Sequence, residues 1–159
     1  NDLMAERETL EEIIKDLLIA NSSQNIEIFL NAKNSLPTPL KGKVHRKFGE
    51  KKGNDTSPAQ GLDILAPVGT PVHAVSPGQI VFSDWLRGFG LLVIIDHGND
   101  YMSLYGNTEA LYKTQGDMVE GGELIAEAGN SGGRQQSGIY FEIRHRGQAI
   151  DPEPWIKTQ

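Results

Sequence analysis

One heptapeptide carries the clearest structural signal in this chain: IYFEIRH at residues 139–145. Its side chains alternate, so an extended backbone points Phe141 and Ile143 to one face and Tyr140 and Arg144 to the other. An apolar/polar period of two predicts a β-strand with one face in a core. The second face is aromatic and charged, which suits a binding surface.

Short runs of branched and aromatic residues continue outward from this strand. Turn signals such as Ser-Pro-Gly and Gly-Asn-Ser-Gly-Gly separate them. Strands this close together, with no helical pattern between them, must pair mostly antiparallel. We therefore predict an all-β core, a sandwich or folded open sheet with a groove. The further predicted strands are 72–75, 79–85, 91–96, 101–105 and 123–128.

Alternation also divides the strand that ends at Tyr105. Met102 and Leu104 are apolar, and we assign them to the core face. Tyr105 falls on the opposite face, which we assign to the same polar-aromatic surface as Tyr140 and Arg144. These strands together predict the groove.

The N-terminal segment has a different pattern. Leucines recur every seven residues at Leu3, Leu10 and Leu17, and charged residues fill the positions between them, so residues 1–20 are predicted to be an α-helix. The repeat is compatible with the end of a coiled coil and equally with an amphipathic helix packed on its own domain.

A boundary follows the helix. Residues 21–40 begin with a polar stretch and end in Leu36-Pro37-Thr38-Pro39, where proline excludes helix. We predict a linker or regulatory segment over 21–40 and one β-domain over 41–159. The chain begins with Asn1 rather than Met, so we expect it to be a piece of a longer protein.

Composition excludes several function classes. The formal net charge of -6 over 159 residues argues against a nucleic-acid partner, which requires a basic surface. The apolar runs are too short to span a membrane. The chain contains no cysteine, which excludes disulfides, a thiolate metal site and a cysteine nucleophile. Nothing in the sequence calls for a cofactor.

Several segments, in order along residues 37–157, resemble the LytM (lysostaphin-like) family of zinc peptidases. Each is short, but the ordered set makes the resemblance specific. The segments are Gly61-Leu62-Asp63-Ile64, the run from Ala66 to Val72, Gly78-Gln79-Ile80-Val81, Tyr105-Gly106, Tyr140-Phe141-Glu142-Ile143-Arg144, and Asp151-Pro152 with Trp155.

The resemblance also identifies the positions of the metal site. Active members bind zinc through a histidine, an aspartate four residues later, and the second histidine of a His-x-His pair. These positions fall on Ala59, Asp63 and Tyr140, the first histidine of the pair falls on Gly138, and a histidine after Tyr-Gly falls on Asn107. Only Asp63 survives. Catalytic zinc needs about three protein ligands, so the resemblance implies a degenerate peptidase with no catalytic or metal-binding residues.

None of the four histidines offers a replacement set. His45 and His73 have no ligand spacing to Asp63, and His97 lies in a turn after a predicted strand. His145 falls on the face opposite Tyr140 by strand parity. We expect all four to be structural or surface residues, and Asp63 to be a hydrogen-bonding residue rather than a ligand.

Within the LytM family, the chain is similar to the EnvC-type murein hydrolase activators. The similar segments are 83–90, 102–106 and 139–144, together with the helical N-terminus. This resemblance implies a periplasmic protein at the division septum of Gram-negative bacteria. It would activate zinc amidases that cut the stem peptide from N-acetylmuramic acid. It also implies an upstream coiled coil, mostly missing here, that responds to the FtsEX complex.

We expect the groove to bind a regulatory helix of such an amidase, since tyrosine and arginine dominate interface energies and a groove of this kind accepts a helix. Phe89 and Leu92 are assigned to an apolar rim, although they could equally be ordinary core residues. The residues assigned to the groove are Gln60, Phe89, Leu92, Tyr105, Tyr140 and Arg144.

Three alternatives remain open at this point. The domain could be a peptidoglycan-binding module with no enzyme partner. A residual zinc endopeptidase is a less favoured reading. Finally, Leu10, Ile14 and Leu17 could dock over the groove and keep the protein inactive, with residues 21–40 as the hinge.

Overall fold

The computed structural model describes residues 2–20, 36–51 and 57–156. It contains an antiparallel β-sheet preceded by one helix, which confirms the predicted fold class. No helix in these three ranges has the length and apolarity needed to cross a lipid bilayer. In chain order the elements are α1 (Asp2–Ala20), β1 (Lys43–Arg46), β2 (Leu62–Leu65), β3 (Pro71–His73), β4 (Gly78–Leu86), β5 (Gly90–Gly98), β6 (Tyr101–Leu111), β7 (Met118–Val119), β8 (Leu124–Ala128), β9 (Gly138–His145) and β10 (Gln148–Ile150).

Hydrogen bonding arranges the strands in the order β1-β2-β9-β6-β5-β4-β7. β10 pairs with β9, and β8 joins β3 to β6. The strand that carries IYFEIRH, β9, therefore lies centrally between β2 and β6. This placement brings the residues of three separate chain segments to one site.

The register between β6 and β9 corrects one sequence prediction. Tyr105 lies directly opposite Phe141, so the two side chains share a face, whereas Leu104 lies opposite Glu142 and Met102 opposite Arg144. Tyr105 is therefore on the far side of the sheet from Tyr140 and Arg144. Alternation within each strand was predicted correctly, but it does not fix how two strands are paired, and a shift of one residue exchanges the faces.

The sheet is buried on both faces, which explains why apolar residues occur on each. One face packs into the main core, which includes Tyr105, Phe141 and Ile143. The other face is covered by α1, whose Leu10 and Ile14 are each 1% exposed. These two side chains contact a second apolar cluster with Leu92 in β5; its other members are Val81, Leu86, Ile94, Met102 and Leu104.

The segment that follows the helix is described only from Leu36. Leu36 and Leu40 are buried in the main core, and Leu36 bridges to Ile156 near the C-terminal end. The end of the predicted 21–40 linker therefore packs on the β-domain. The rest of the predicted hinge, residues 21–35, lies outside the described residues, and the division at residue 40 remains a prediction.

Candidate functional site

The positions that hold zinc in active LytM peptidases converge in this structure. Asp63 in β2 lies directly opposite Tyr140 in β9. Both side chains line a cavity of about 280 Å³ together with Ala59 and Asn107. We call Ala59, Asp63, Asn107, Gly138 and Tyr140 the vestigial metal site. Four of the five positions that the LytM resemblance assigns to a metal site therefore line one cavity.

The side chains present do not fit a zinc ion. Ala59 has no donor atom. The Tyr140 hydroxyl donates a 2.5 Å hydrogen bond to Glu142 Oε2. Burial, and then the charge of Glu142, raise the pKa of Tyr140 well above its usual value, which opposes the phenolate that a metal would require. In the described part of the chain, no three His, Asp or Glu side chains form a group that could hold a metal.

Gly138 could not carry a histidine on this backbone. Its φ of 150° lies in a region that L-residues rarely adopt. A Cβ atom there would lie 1.9 Å from the carbonyl oxygen of Ile64. The loss of this histidine position is therefore built into the pairing of β9 with β2.

Arg134 contacts two residues of the vestigial metal site. Its Nη2 lies 3.6 Å from Asp63 Oδ1, and its Nη1 donates a 3.3 Å hydrogen bond to Asn107 Oδ1. Asn107 has a left-handed φ of 60°, which asparagine tolerates, and its Nδ2 donates to Ser131 O at 2.8 Å. Asp63 thus forms an ion pair with Arg134; its role as a hydrogen-bonding residue rather than a metal ligand stays a prediction.

A second polar network surrounds Arg144, which is 1% exposed. Its Nε donates to Glu142 Oε1 at 2.6 Å, and its Nη1 donates to Glu11 Oε1 and Oε2 at 2.6 and 2.9 Å. Gln60 Oε1 accepts from Nη2 at 3.3 Å, and Gly147 O accepts from Nη1. Burial lowers the pKa of Arg144, but Glu142 and then Glu11 outweigh this effect and raise it overall. Arg144 is therefore a fixed cation.

The N-terminal helix covers this part of the sheet. Both carboxylate oxygens of Glu11 in α1 accept from Arg144 Nη1, and this is the bidentate contact. Glu6 Oε1 lies 3.4 Å from Arg87 Nε. Glu6, Arg7 and Leu10 also line the cavity of the vestigial metal site. An amphipathic helix, with two buried apolar residues and a carboxylate, occupies the surface that we assigned to a partner.

The structure brings together five of the six residues that the sequence assigned to the groove. Phe89 packs against Tyr140 with ring centroids 5.8 Å apart, and Gln60 contacts Arg144. Leu92 is fully buried beneath α1, on the same face. From here on, the groove means Gln60, Phe89, Leu92, Tyr140 and Arg144.

Tyr105 does not belong to the groove, and its assignment there was wrong. It is fully buried, packs against Phe141 at a centroid distance of 5.3 Å and accepts a hydrogen bond from Val75 N. Its hydroxyl also contacts Ser103 Oγ at 2.8 Å. Burial raises its pKa, so it is a neutral core residue rather than part of a binding surface.

The four histidines have structural or surface environments. His97 Nδ1 donates to Pro77 O, and its Nε2 accepts from Ser103 Oγ, both at 2.7 Å; burial lowers the pKa of His97 to about 4. His145 stacks on Tyr101 at 4.1 Å. His73 Nδ1 lies 3.1 Å from Gly122 O, and His45 is exposed.

Sequence reasoning missed Arg134, Glu142 and Glu11 as members of these networks. Arg134 follows two glycines in a loop, and no spacing marks it. Glu11 was one of several charged positions on the helix. The one available signal for Glu142 was its place between Tyr140 and Arg144, since strand alternation puts all three on one face.

Known proteins share the sequence pattern and the fold of this chain. Residues 57–152 match the model of the family described as Peptidase family M23. The murein hydrolase activator EnvC of Escherichia coli is 39% identical over 118 residues, which cover 74% of this chain and 28% of that protein. The murein hydrolase activator NlpD of Escherichia coli is 33% identical over 115 residues, covering 72% and 29%. The chain thus spans under a third of the length of both relatives.

A solved structure supports the fold. The crystal structure of a zinc-containing peptidase from Vibrio cholerae superposes with a TM-score of 0.69 at 21% identity, covering 80% of this chain and 41% of that one. The resemblance to degenerate LytM domains of the EnvC type is confirmed by the relatives above. With a family match over more than half of its length, this chain belongs to peptidase family M23.

Proposed function

We propose that this chain is a non-enzymatic activator of periplasmic N-acetylmuramoyl-L-alanine amidases, and that its groove binds a helix of the amidase. One observation carries the proposal: the groove already holds an amphipathic helix, α1. It does so through apolar packing and a carboxylate–arginine contact, which a helix of another protein could also make. Two relatives are named murein hydrolase activators, which supports the activator class.

The vestigial metal site supports a binding role over a catalytic one. Hydrolysis by this family's chemistry needs a metal with an open coordination position for water. Asp63 is paired with Arg134, and Tyr140 is hydrogen-bonded to Glu142, so the former ligand positions are engaged in other contacts. The groove contains the buried Arg144 beside the aromatic rings of Phe89 and Tyr140 and the apolar Leu92, and these side chains suit binding rather than catalysis.

The contacts of α1 describe the partner segment that the groove would accept. Leu10 and Ile14 fill the apolar part of the surface, and the Glu11 carboxylate makes a bidentate contact with Arg144. A partner helix therefore needs two apolar residues four positions apart and a carboxylate beside the first. Binding activates the amidase to the extent that the groove has a higher affinity for the open state of the amidase than for its closed state.

The same geometry supports a regulatory role for α1. A partner helix and α1 would need the same atoms of Arg144, so the two cannot bind together. We propose that the described conformation is inactive and that release of α1 exposes the groove. We further propose that an upstream coiled coil that responds to FtsEX at the division septum supplies the release.

The test is dye release from labelled sacculi with this protein alone, a periplasmic amidase alone, and both together. We expect release above the amidase background only in the mixture, and more release when residues 1–35 are deleted. Release by this protein alone would contradict the non-enzymatic assignment. A deletion variant that is folded by circular dichroism yet activates no better would contradict the role of α1.

A parallel sedimentation assay tests the alternative of a wall-binding module. The deletion variant is mixed with purified sacculi, or with immobilised amidase, and the bound fraction is measured. Retention on the amidase that is lost in Tyr140→Ala supports the proposal. Retention on sacculi alone, with none on the amidase, would replace it with peptidoglycan binding.

A further inference from the structure

We propose that the guanidinium of Arg134 takes the structural place of the lost metal ion. Arg134 is a positioning residue: it holds the loop of residues 129–137 against β2 and β6, and so fixes one side of the groove. Nothing in the activator proposal requires this role, and it is tested without an amidase.

The contacts of Arg134 reproduce what a bound cation would do here. One nitrogen lies 3.6 Å from Asp63, the single metal-ligand position that is still acidic, and another contacts Asn107, where a histidine is expected in active members. The Arg134 side chain is 13% exposed. Burial lowers the pKa of Arg134, and the charge of Asp63 opposes this effect. The guanidinium remains protonated, as arginine does in proteins.

The loop needs such a contact because of its sequence. Gly132 and Gly133 precede Arg134, with φ values of 82° and 84°. Glycine gives these positions the required backbone conformation but also the largest conformational entropy to lose. Ser131 is anchored by a hydrogen bond from its hydroxyl to Thr108 O at 2.6 Å. Beyond the two glycines, Arg134 contacts Asp63 and Asn107 at the groove, and Ser137 anchors the end of the loop to Ala66.

The position of the loop matters to the groove. Gly132, Gly133 and Arg134 line the same cavity as Phe89 and Tyr140. A Cβ atom on Gly132 would lie 2.6 Å from the backbone nitrogen of Gly90, so the loop passes directly against the turn that carries Phe89. Loss of the Arg134 contacts would therefore release one side of the groove while the sheet remains intact.

The first experiment is hydrogen exchange on the full chain with Arg134→Ala, Arg134→Lys and the control Arg146→Ala, which alters an exposed arginine in the β9–β10 turn. We expect protection of the Ala66 and Leu91 amides, which donate to Ser137 O and Ser131 Oγ of the loop, to fall about tenfold in Arg134→Ala and not in the control. Addition of roughly 20 mM guanidinium chloride, but not sodium chloride, should restore it, because the free ion can occupy the vacated place. Unchanged protection, or no rescue, would overturn the proposal.

The second experiment asks whether Arg134 and a metal compete for the same place. Ala59→His with Tyr140→His supplies two zinc ligands around Asp63, and zinc affinity is measured by calorimetry with Arg134 present or replaced by alanine. We expect the Arg134→Ala background to bind zinc at least about tenfold more tightly, since a cation beside Asp63 is removed. Equal affinities in the two backgrounds would show that Arg134 does not occupy the metal's place.

Discussion

At the scale of single residues, the ion pair between Arg144 and Glu142 decides how the groove can be tested. Each side chain is 1% exposed, so both charges are removed from water and each needs the other. Arg144→Glu is therefore not a clean test of binding, because that substitution buries two carboxylates with no cation between them.

We therefore predict that Arg144→Gln lowers the free energy of unfolding by about 3–5 kcal/mol, as Glu142 is left as an unpaired buried charge. Arg144→Gln with Glu142→Gln should recover most of that loss, because two neutral amides replace the pair. Urea denaturation of the two single variants and the double variant measures the coupling. Additive losses would mean that the pair is not coupled.

The double variant then separates binding from folding. It should remain folded but lose amidase activation, since a neutral amide cannot replace the cation that contacts a partner carboxylate. Full activation by the double variant would remove Arg144 from the binding surface.

His97 gives the fold a pH dependence. Its folded pKa of about 4 lies below the unfolded value of 6.5, so the unfolded chain binds the proton more tightly. Stability is complete above about pH 6.5 and falls as the pH decreases towards 4, by about 3 kcal/mol for this shift. His97→Gln should lack this component. Thermal melts of both proteins between pH 4 and 7 measure it; parallel curves would contradict the assignment.

At the scale of elements, α1 is held by few contacts compared with the strands. Its described contacts with the sheet are Leu10, Ile14 and partly buried neighbours, plus the ion pairs of Glu6 and Glu11. Short helices have little stability of their own in water. We therefore expect that the helix can be released without unfolding the β-domain.

We predict that Leu10→Ala with Ile14→Ala releases α1, since each truncation costs about 2–5 kcal/mol of packing. Hydrogen exchange of residues 2–20 should accelerate while β5 and β6 stay protected, and amidase activation should rise. Glu12→Ala with Lys15→Ala, two exposed positions of the same helix, is the matched control. Equal exchange in the two double variants would mean that the buried residues do not hold the helix.

Sequence reasoning predicted the elements better than their pairing. Six strands and the helix were predicted near their observed positions, because alternation and turn residues are local signals. β1, β2, β7 and β10 were missed, since strands of two to four residues carry too little pattern. Tyr105 was misplaced because the register of β6 on β9 is set by long-range contacts that no local pattern records.

The former metal positions were identified from a family resemblance, and the structure brings four of them to one cavity. The contact between Arg134 and Asp63 could not be predicted in the same way. Arg134 reaches Asp63 across 71 positions of sequence, through a loop whose path depends on Ser131 and two glycines. A single sequence carries no signal for such a contact.

At the scale of the whole molecule, the proposed activation is a competition between two helices for one groove. Tethering gives α1 a high effective concentration at the groove, in the millimolar range for short flexible connections. A partner must overcome this competition, so its apparent affinity equals its intrinsic affinity multiplied by the fraction of molecules in which α1 is released. Deletion of residues 1–35 turns the intramolecular competitor into one that can be added at a chosen concentration.

We predict that a synthetic peptide of residues 1–20, added to the deletion variant, inhibits amidase activation, and that more amidase overcomes the inhibition. A peptide with Glu11→Lys should be at least about tenfold weaker, because it places a second cation against Arg144 in place of the bidentate carboxylate. Dye release against peptide concentration measures both. Equal potency of the two peptides would show that Arg144 does not select the helix, and inhibition that excess amidase cannot relieve would show that α1 and the partner bind at different surfaces.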